Sequence, residues 1–294
     1  GYCKCKITSG GGSLLPTEEP LLNQQERDNQ IRLACQVKLK RDMEIEIPEA
    51  LFAIRQYQAE TVMIRDLTYD IKWVRFQLFP PDQIRFKPGQ YIQVESQPYG
   101  EVREGVSRAY SICSPNTRED QIELMIRLVP GGICTTWVHQ VLKTGDRVNL
   151  VGPMGDFYLR DGTGEIIMVA GGSGMAPMVS ILHDLQAQQI SRPVSFFFGA
   201  RTTRDLFYLE EMAQFERAIP SFRFVPALSN PEPGDNWQGE TGLITDVLAR
   251  ALKEKNNQSA QGYLCGSPGM VKACTAVLNQ YGVSNERVFF DPFA

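Results

Sequence analysis

Five short segments of this chain carry the residue types from which a site for flat, phosphorylated ligands can be built. In chain order they are Arg108-Ala-Tyr-Ser111, Gly131-Gly-Ile-Cys-Thr-Thr136, Gly171-Gly-Ser-Gly-Met-Ala-Pro177, Cys265-Gly-Ser-Pro-Gly-Met270 and Phe290-Asp-Pro-Phe-Ala294. A guanidinium matches phosphate geometry, and glycine-rich turns that open into helices offer free backbone N–H groups to anions. No single segment is specific. Their order and spacing together favour one kind of site.

The first segment reads as a strand, along which side chains alternate between two faces. Arg108 and Tyr110 are therefore expected on one face and Ser111 on the other. The arginine suits a pyrophosphate, the tyrosine ring offers a surface to a heterocycle, and the serine offers a hydroxyl. A bound flavin needs all three. Taken alone, the segment is more simply explained as an ordinary exposed strand.

The second segment follows a predicted strand over 122–129 and precedes a helical pattern over 137–142. Such a turn presents the positive end of a helix to an anion. Thr135 or Thr136 is expected to cap this helix, and a plain helix start without a ligand is the alternative. Short alternating runs broken by Pro and Gly predict a small antiparallel barrel over 53–157.

The third segment lies between an apolar run over 165–170 and a helical pattern over 178–185. Strand, glycine turn and helix in this order bind dinucleotide phosphates, although the spacing is not G-x-G-x-x-G. Further strands that alternate with helices predict a doubly wound α/β domain over 158–294. Those further strands are expected at 194–198, 222–227 and 262–265.

Cys265 ends one of these strands, directly before the fourth segment. Ligands of doubly wound sheets bind at the carboxyl ends of the strands. A contact with a nicotinamide is therefore the favoured interpretation of Cys265, and a buried structural cysteine is the alternative.

The residues before the barrel contain two widely separated cysteines, Cys3 and Cys35. Alternation over 4–8 predicts a half-buried strand with Cys5 pointing inward, and a second strand is expected over 37–40. The turn over 9–12 and the segment Arg32-Leu-Ala-Cys-Gln36 resemble plant-type 2Fe–2S ferredoxins, in which four cysteines hold the cluster. This resemblance implies a partial ferredoxin-like β-grasp over 1–52. The alternative is that both cysteines are small buried hydrophobic residues.

Composition excludes several functional classes. The 294 residues carry a net charge of −4, whereas nucleic-acid binding needs a basic surface. No apolar run approaches the ~20 residues of a membrane span. Seven irregularly spaced cysteines without a secretion signal indicate reduced thiols and a cytoplasmic location. Neither a zinc-ligand spacing nor a Ser-His-Asp arrangement is visible in the sequence.

Together the segments resemble the ferredoxin–NAD(P)H reductase superfamily, most of all the iron–sulfur flavoprotein reductases of oxygenases and the flavin subunit of sodium-translocating NADH:quinone reductases. The resemblance implies FAD-binding residues Arg108, Ala109, Tyr110, Ser111, Met125, Ile126, Arg127, Gly132, Ile133, Cys134 and Thr135. It implies NAD(H)-binding residues Gly172, Ser173, Gly174, Met175, Ala176, Pro177, Arg201, Asp205, Cys265, Gly266, Pro268 and Met270. Phe293 corresponds to the terminal aromatic residue that stacks on the flavin in this family.

The same resemblance implies that hydride passes from NADH to the flavin, with Ser111, Cys265 and Phe293 as catalytic residues. Single electrons would then reach a 2Fe–2S cluster held by Cys3, Cys35 and two cysteines expected before Gly1. As given, the chain holds an incomplete cluster site or none. The final acceptor would be a protein or a quinone.

Coenzyme preference has opposing signals in the sequence. Asp205 would repel the 2′-phosphate of NADPH and so favours NADH, whereas Arg201 and Arg204 could attract that phosphate.

Two alternatives remain open. One is the electron-input subunit of a membrane NADH:quinone reductase at the cytoplasmic face, joined to the membrane through a complex or through residues outside this sequence. The stretch from Val94 to Arg108 lacks the long insertion of that subunit. The other alternative is a flavin electron-transfer module with little NADH turnover.

Overall fold

The computed structural model describes residues 4–22, 24–47 and 52–292. Its first unit ends at Ile54 and contains a small antiparallel sheet. Its strands follow the order β2-β1-β3 and are accompanied by one short helix, α1. The bounds are β1 Lys4–Ser9, α1 Gln24–Asp28, β2 Ile31–Leu33 and β3 Glu44–Glu46. Cys5 is buried on β1, as the alternation predicts. The strand expected over 37–40 is wrong: these residues form no strand, and Leu39 is 78% exposed because its side chain is not buried against other residues.

A buried ion pair holds this unit together. Glu18 is fully buried and accepts hydrogen bonds from the Arg32 side chain and from the backbone N–H groups of Leu15 and Leu33. Arg32 in turn donates to the carbonyl oxygens of Gly11 and Gly12. Burial acts to raise the pKa of Glu18, but these hydrogen bonds outweigh it and lower the pKa.

The second unit begins at Arg55 with a six-stranded antiparallel sheet of order β7-β6-β9-β4-β5-β8. An isolated bridge from Ile112 to Leu124 joins the end of β7 to β8, so the sheet curls into a nearly closed barrel. One helix, α2, fills its end with Trp137. The bounds are β4 Arg55–Asp66, β5 Ile71–Leu78, β6 Tyr91–Glu95, β7 Ser107–Ser111, β8 Gln121–Arg127, α2 Ile133–Gln140 and β9 Arg147–Met154.

The remaining elements form a six-stranded parallel sheet of order β13-β12-β11-β10-β14-β15 with helices on both faces. Because both faces are covered, β10 is an almost wholly buried apolar run. The bounds are β10 Ile166–Gly171, α3 Met175–Ala187, β11 Val194–Ala200, α4 Leu209–Ala218, β12 Phe222–Leu228, β13 Glu240–Thr241, α5 Ile244–Leu252, β14 Gln261–Gly266, α6 Pro268–Gln280 and β15 Val288–Pro292.

Barrel and parallel sheet share one hydrophobic core, in which Trp73 and Met125 of the barrel pack with Met175 and Ile181 of α3. The segment that connects the barrel to the parallel sheet is held by hydrogen bonds to its backbone carbonyl groups. The carbonyls of Arg160 and Gly164 accept from the Arg192 guanidinium, and the carbonyl of Asp161 accepts from the Gln261 amide at 2.8 Å.

Candidate active site

Strand order in the parallel sheet reverses between β10 and β14, and the turns that follow these two strands lie against each other. After β10 the chain turns through Gly172–Gly174 into α3, and after β14 it passes Ser267 into α6. A Cβ at Gly174 would lie 2.3 Å from the carbonyl oxygen of Cys265, so only glycine permits this approach. Crevices at such reversal points are where doubly wound sheets bind ligands.

The two helices that start here differ at their N-termini. Ser267 caps α6 by accepting the N–H of Met270 at 3.3 Å. Within the described residues, no side chain caps α3. The positive end of a 13-residue helix is therefore open toward the crevice.

A barrel residue reaches this open helix end. The family resemblance predicts Arg127 beside a flavin, but its Nη1 lies 3.6 Å from where a Cβ of Gly172 would stand. Its Nε donates to Asp70 Oδ2 at 2.7 Å, and Thr68 Oγ1 donates to Asp70 Oδ1 at 2.8 Å. Asp70 thereby anchors the guanidinium at Nε while Nη1 lies beside Gly172, which suits an anion held between barrel and helix.

A chemical cluster forms where the end of β7 meets the ends of β14 and β15. Ser111 Oγ donates to Asp291 Oδ2 at 3.3 Å, and Asp291 is the register partner of Cys265 on the neighbouring strand. Burial raises the pKa of Asp291, against the hydrogen bond from Ser111. Burial, followed by the nearby Asp291 carboxylate, raises the pKa of the Cys265 thiol well above its usual range. At neutral pH Cys265 is therefore a thiol.

Sequence reasoning misses Asp291, although this residue lies in the last of the five segments. The available signal is a single carboxylate in an otherwise apolar terminal strand, Val288-Phe-Phe-Asp-Pro292. The family resemblance points instead to Phe293, which lies outside the described residues.

A second open helix end lies in the barrel. The N–H groups that begin α2 receive no side-chain cap from the described residues, so the expected threonine cap is wrong. Thr135 Oγ1 instead accepts the N–H of Val129 at 3.1 Å and so folds the turn itself. Gly131 adopts a φ of +75° there, with no atom within 4 Å of where a Cβ would stand.

Beside this helix end, the buried Tyr110 Oη meets no oxygen or nitrogen partner among the described residues and lies against the weakly hydrogen-bonding Cys134 thiol. Burial, followed by the adjacent Cys134 thiol, raises the pKa of Tyr110 well above its usual range, and the charge of Arg108 acts in the opposite direction. A buried hydroxyl without an oxygen or nitrogen partner is costly, so this atom marks a place where a ligand can supply the missing acceptor.

At the carboxyl end of β11, Asp205 is already fully engaged. Its Oδ1 accepts from the Tyr69 hydroxyl at 3.0 Å, and its Oδ2 accepts from the backbone N–H of Thr202 at 2.8 Å. Burial acts to raise its pKa, but these hydrogen bonds outweigh it, so the pKa is lowered. Arg204 lies 5.3 Å from the centre of the Tyr69 ring. No local pattern in the sequence points to Tyr69, which belongs to the barrel.

The remaining expected site residues separate into those at the two turns and those buried behind them. The Met270 side chain packs between Gly171 and Gly266, whereas Ile126 points into the barrel core. At the surface or edge of the turns are Ala109, Gly132, Ile133, Arg201 and Pro268; buried within them are Ser173, Met175, Ala176 and Pro177.

The expected cluster ligands cannot be assembled from the described residues. Cys35 is exposed on the turn after β2, and Cys3 lies outside the described residues. Over 4–22, 24–47 and 52–292, no group of three or more His, Cys, Asp or Glu side chains could hold a metal ion. A single thiolate does not hold a 2Fe–2S cluster.

Both halves of the second unit match known protein families. Residues 58–158 match the oxidoreductase FAD-binding domain family, and residues 168–276 match the oxidoreductase NAD-binding domain family.

Curated relatives extend this likeness over the whole chain. The F component of the Na(+)-translocating NADH-quinone reductase of Psychrobacter arcticus is 34% identical over 330 aligned positions, which cover 99% of this chain and 80% of the relative. Its counterpart in Actinobacillus succinogenes is 32% identical, covering 100% and 81%. The alignments are longer than the chain, so these relatives hold internal residues that this chain lacks.

Two solved structures share the whole architecture. The Amycolatopsis cytochrome P450 reductase GcoB superposes with a TM-score of 0.80 at 30% identity, covering 99% of this chain and 87% of that one. The ferredoxin reductase in carbazole 1,9a-dioxygenase gives a TM-score of 0.73 at 29% identity, covering 99% and 86%.

Proposed function

The chain belongs to the ferredoxin–NAD(P)H reductase superfamily, and on this premise we propose that it is an NADH-dependent flavoprotein reductase. It takes hydride from NADH onto FAD and passes single electrons to a redox partner. The observation that carries the proposal is the meeting of Ser111, Asp291 and Cys265 beside the open N-terminus of α3.

The barrel residues fit FAD. The open end of α2 and Arg108 would hold the pyrophosphate, and FAD would supply the oxygen or nitrogen acceptor that the Tyr110 hydroxyl lacks. When bound, FAD supplies two-electron uptake as hydride and one-electron release.

The parallel sheet fits the nicotinamide coenzyme. The pyrophosphate would bind between the open end of α3 and Arg127, which Asp70 positions. The glycines at 172 and 174 let this anion and the neighbouring turn approach the backbone closely. Asp205, whose two oxygens already accept hydrogen bonds, would act on the coenzyme through its charge.

In the reaction, Ser111 would orient the reacting ring and Cys265 would border it as an uncharged thiol. Asp291, whose pKa burial raises, accepts a hydrogen bond from Ser111 Oγ and would take up a proton more readily than an exposed aspartate does. Most of the rate enhancement would come from positioning, which supplies about 7–11 kcal/mol in well-oriented cases.

Two candidate roles differ in the electron acceptor that the protein would serve. Identity to the Na(+)-translocating NADH-quinone reductase subunits over nearly the whole chain favours an electron-input subunit at the cytoplasmic face of a membrane complex. The superposition on GcoB favours a reductase that feeds an oxygenase. Among the described residues, no helix is long and apolar enough to cross a membrane. In either role Cys35 would be one ligand of a 2Fe–2S centre.

Anaerobic mixing of the purified protein with NADH tests the proposal. The flavin absorbance is expected to bleach within the turnover time, and faster with NADH than with NADPH. Material that binds no FAD would contradict the proposal, and bound flavin that stays oxidised would leave an electron-transfer module with little NADH turnover. Steady-state assays with a ubiquinone analogue and with an oxygenase component then separate the two acceptor classes.

A further inference from the structure

A cavity of about 320 Å³ is lined by residues of the barrel and of the α/β domain. The barrel lines it with Arg65, Trp73, Arg75, Arg118 and Glu123, and the α/β domain contributes His183 of α3 and Tyr208. None of these side chains has a part in the proposed hydride transfer.

Charge in this cavity is unbalanced. Three guanidinium groups face one lining carboxylate, Glu123, whose Oε1 accepts from Arg75 Nε at 2.9 Å. Arg118 approaches the same carboxylate only to 3.8 Å, and Arg65 approaches Glu211 only to 3.8 Å. Both distances exceed hydrogen-bond length. The side chains of Arg65 and Arg118 are 53% and 55% exposed, so a ligand in the cavity can reach their donors.

Two of the three arginines also lie over an aromatic ring. The guanidinium groups of Arg75 and Arg65 lie 4.8 Å and 5.4 Å from the centre of the buried Trp73 ring. Cation–π contacts of this kind restrict the two side chains and so lower the entropy lost on binding. Among the described residues, the buried Trp73 Nε1 meets no oxygen or nitrogen acceptor and lies beside the weakly accepting Cys113 thiol.

Tyr208 adds strain and a donor. Its φ of +61° places a non-glycine residue in the left-handed region at the start of α4. Side chains rarely adopt this conformation, and it concentrates at ligand sites. Tyr208 lines the cavity, and its hydroxyl can donate to a ligand there.

We propose that this cavity binds a small organic polycarboxylate. Its carboxylates would pair with Arg65 and Arg118 and accept from the Tyr208 hydroxyl. The cavity is at the lower end of small-molecule sites, of roughly 300–1,000 Å³. Met63 and Pro115 line it as well, and these apolar walls suit a carbon skeleton, which inorganic phosphate lacks.

Calorimetric titration of citrate into the purified, FAD-containing protein tests this site. Saturating NAD+ is included so that the crevice beside α3 is occupied, and chloride is used to match ionic strength. One citrate is expected to bind per chain. The double variant R65Q/R118Q is expected to bind at least about tenfold more weakly, because two charge-assisted pairs are lost. Y208F should weaken binding about threefold.

The matched control is R85Q, which removes an arginine that is 81% exposed on the barrel and paired with Glu119. It should leave citrate affinity unchanged. Absence of saturable binding, equal weakening in R85Q, or phosphate binding as tight as citrate would overturn the proposal. Flavin bleaching by NADH, measured on the same preparations, is a separate readout: its failure refutes the reductase and not the carboxylate site.

Discussion

At the scale of single residues, Asp291 lies where the barrel and the parallel sheet meet. Its carboxyl is held by Ser111 from the barrel and adjoins Cys265 in the sheet, and burial raises its pKa. The folded protein therefore binds this proton more readily than the unfolded chain does. Asp291 consequently favours folding less as pH rises through its raised pKa.

Replacing this acid separates its two effects. In D291N the unfolding temperature is expected to rise at neutral pH and to match that of wild type near pH 4. The gain in the free energy of unfolding at neutral pH is about 1.4 kcal/mol for each pH unit by which the fold raises the pKa of Asp291. Flavin reduction by NADH is expected to slow by about 10²-fold or more and to lose pH dependence. Thermal melts and stopped-flow measurements from pH 4 to 8 check this. An unchanged rate would remove Asp291 from the mechanism.

Tyr110 allows a second test at this scale. In Y110F the buried hydroxyl without an oxygen or nitrogen partner is gone, so the FAD-free protein should be as stable as wild type or more stable. FAD affinity should fall by about threefold to tenfold because the ligand loses a hydrogen bond. Flavin fluorescence titration and melting of the FAD-free protein measure the two. A variant that loses stability without losing FAD affinity would contradict the assignment.

At the scale of elements, local pattern predicts the strands and the two glycine turns well. The apolar run at β10 and the alternating runs of the barrel give correct elements because their burial is set by their own sequence. The sequence does not predict the side-chain contacts that connect these elements. Asp70, Tyr69 and Asp291 act through contacts across more than fifty residues, to which no local periodicity refers.

The turn between β4 and β5 gives a prediction at this scale. In D70N, Arg127 loses its anchor beside Gly172, so the KM for NADH should rise about twofold to fivefold with kcat unchanged. D66N is the control, because Asp66 pairs with Lys72 on the same hairpin at 2.7 Å and is far more exposed. Equal effects of D70N and D66N on KM would assign the result to the hairpin in general.

At the scale of the whole molecule, the chain is two units that should unfold separately. E18Q leaves Arg32 buried without its counter-charge, which costs about 3–5 kcal/mol. Calorimetry should therefore show a lower transition temperature for the first unit and an unchanged one for the second unit.

Because the pKa of Glu18 is lowered in the fold, the first unit of the wild-type protein should also lose stability as pH falls through this lowered pKa. A shift of both transitions together would refute separate unfolding.

The fastened connection between barrel and parallel sheet has a consequence for catalytic motion. A hinge needs residues whose backbone angles can change, yet the carbonyls at Arg160, Asp161 and Gly164 all accept from the side chains of Arg192 and Gln261. We therefore expect little change in the angle between barrel and parallel sheet during a catalytic cycle. Room for an incoming pyridine ring is then expected to come from the displacement of individual side chains.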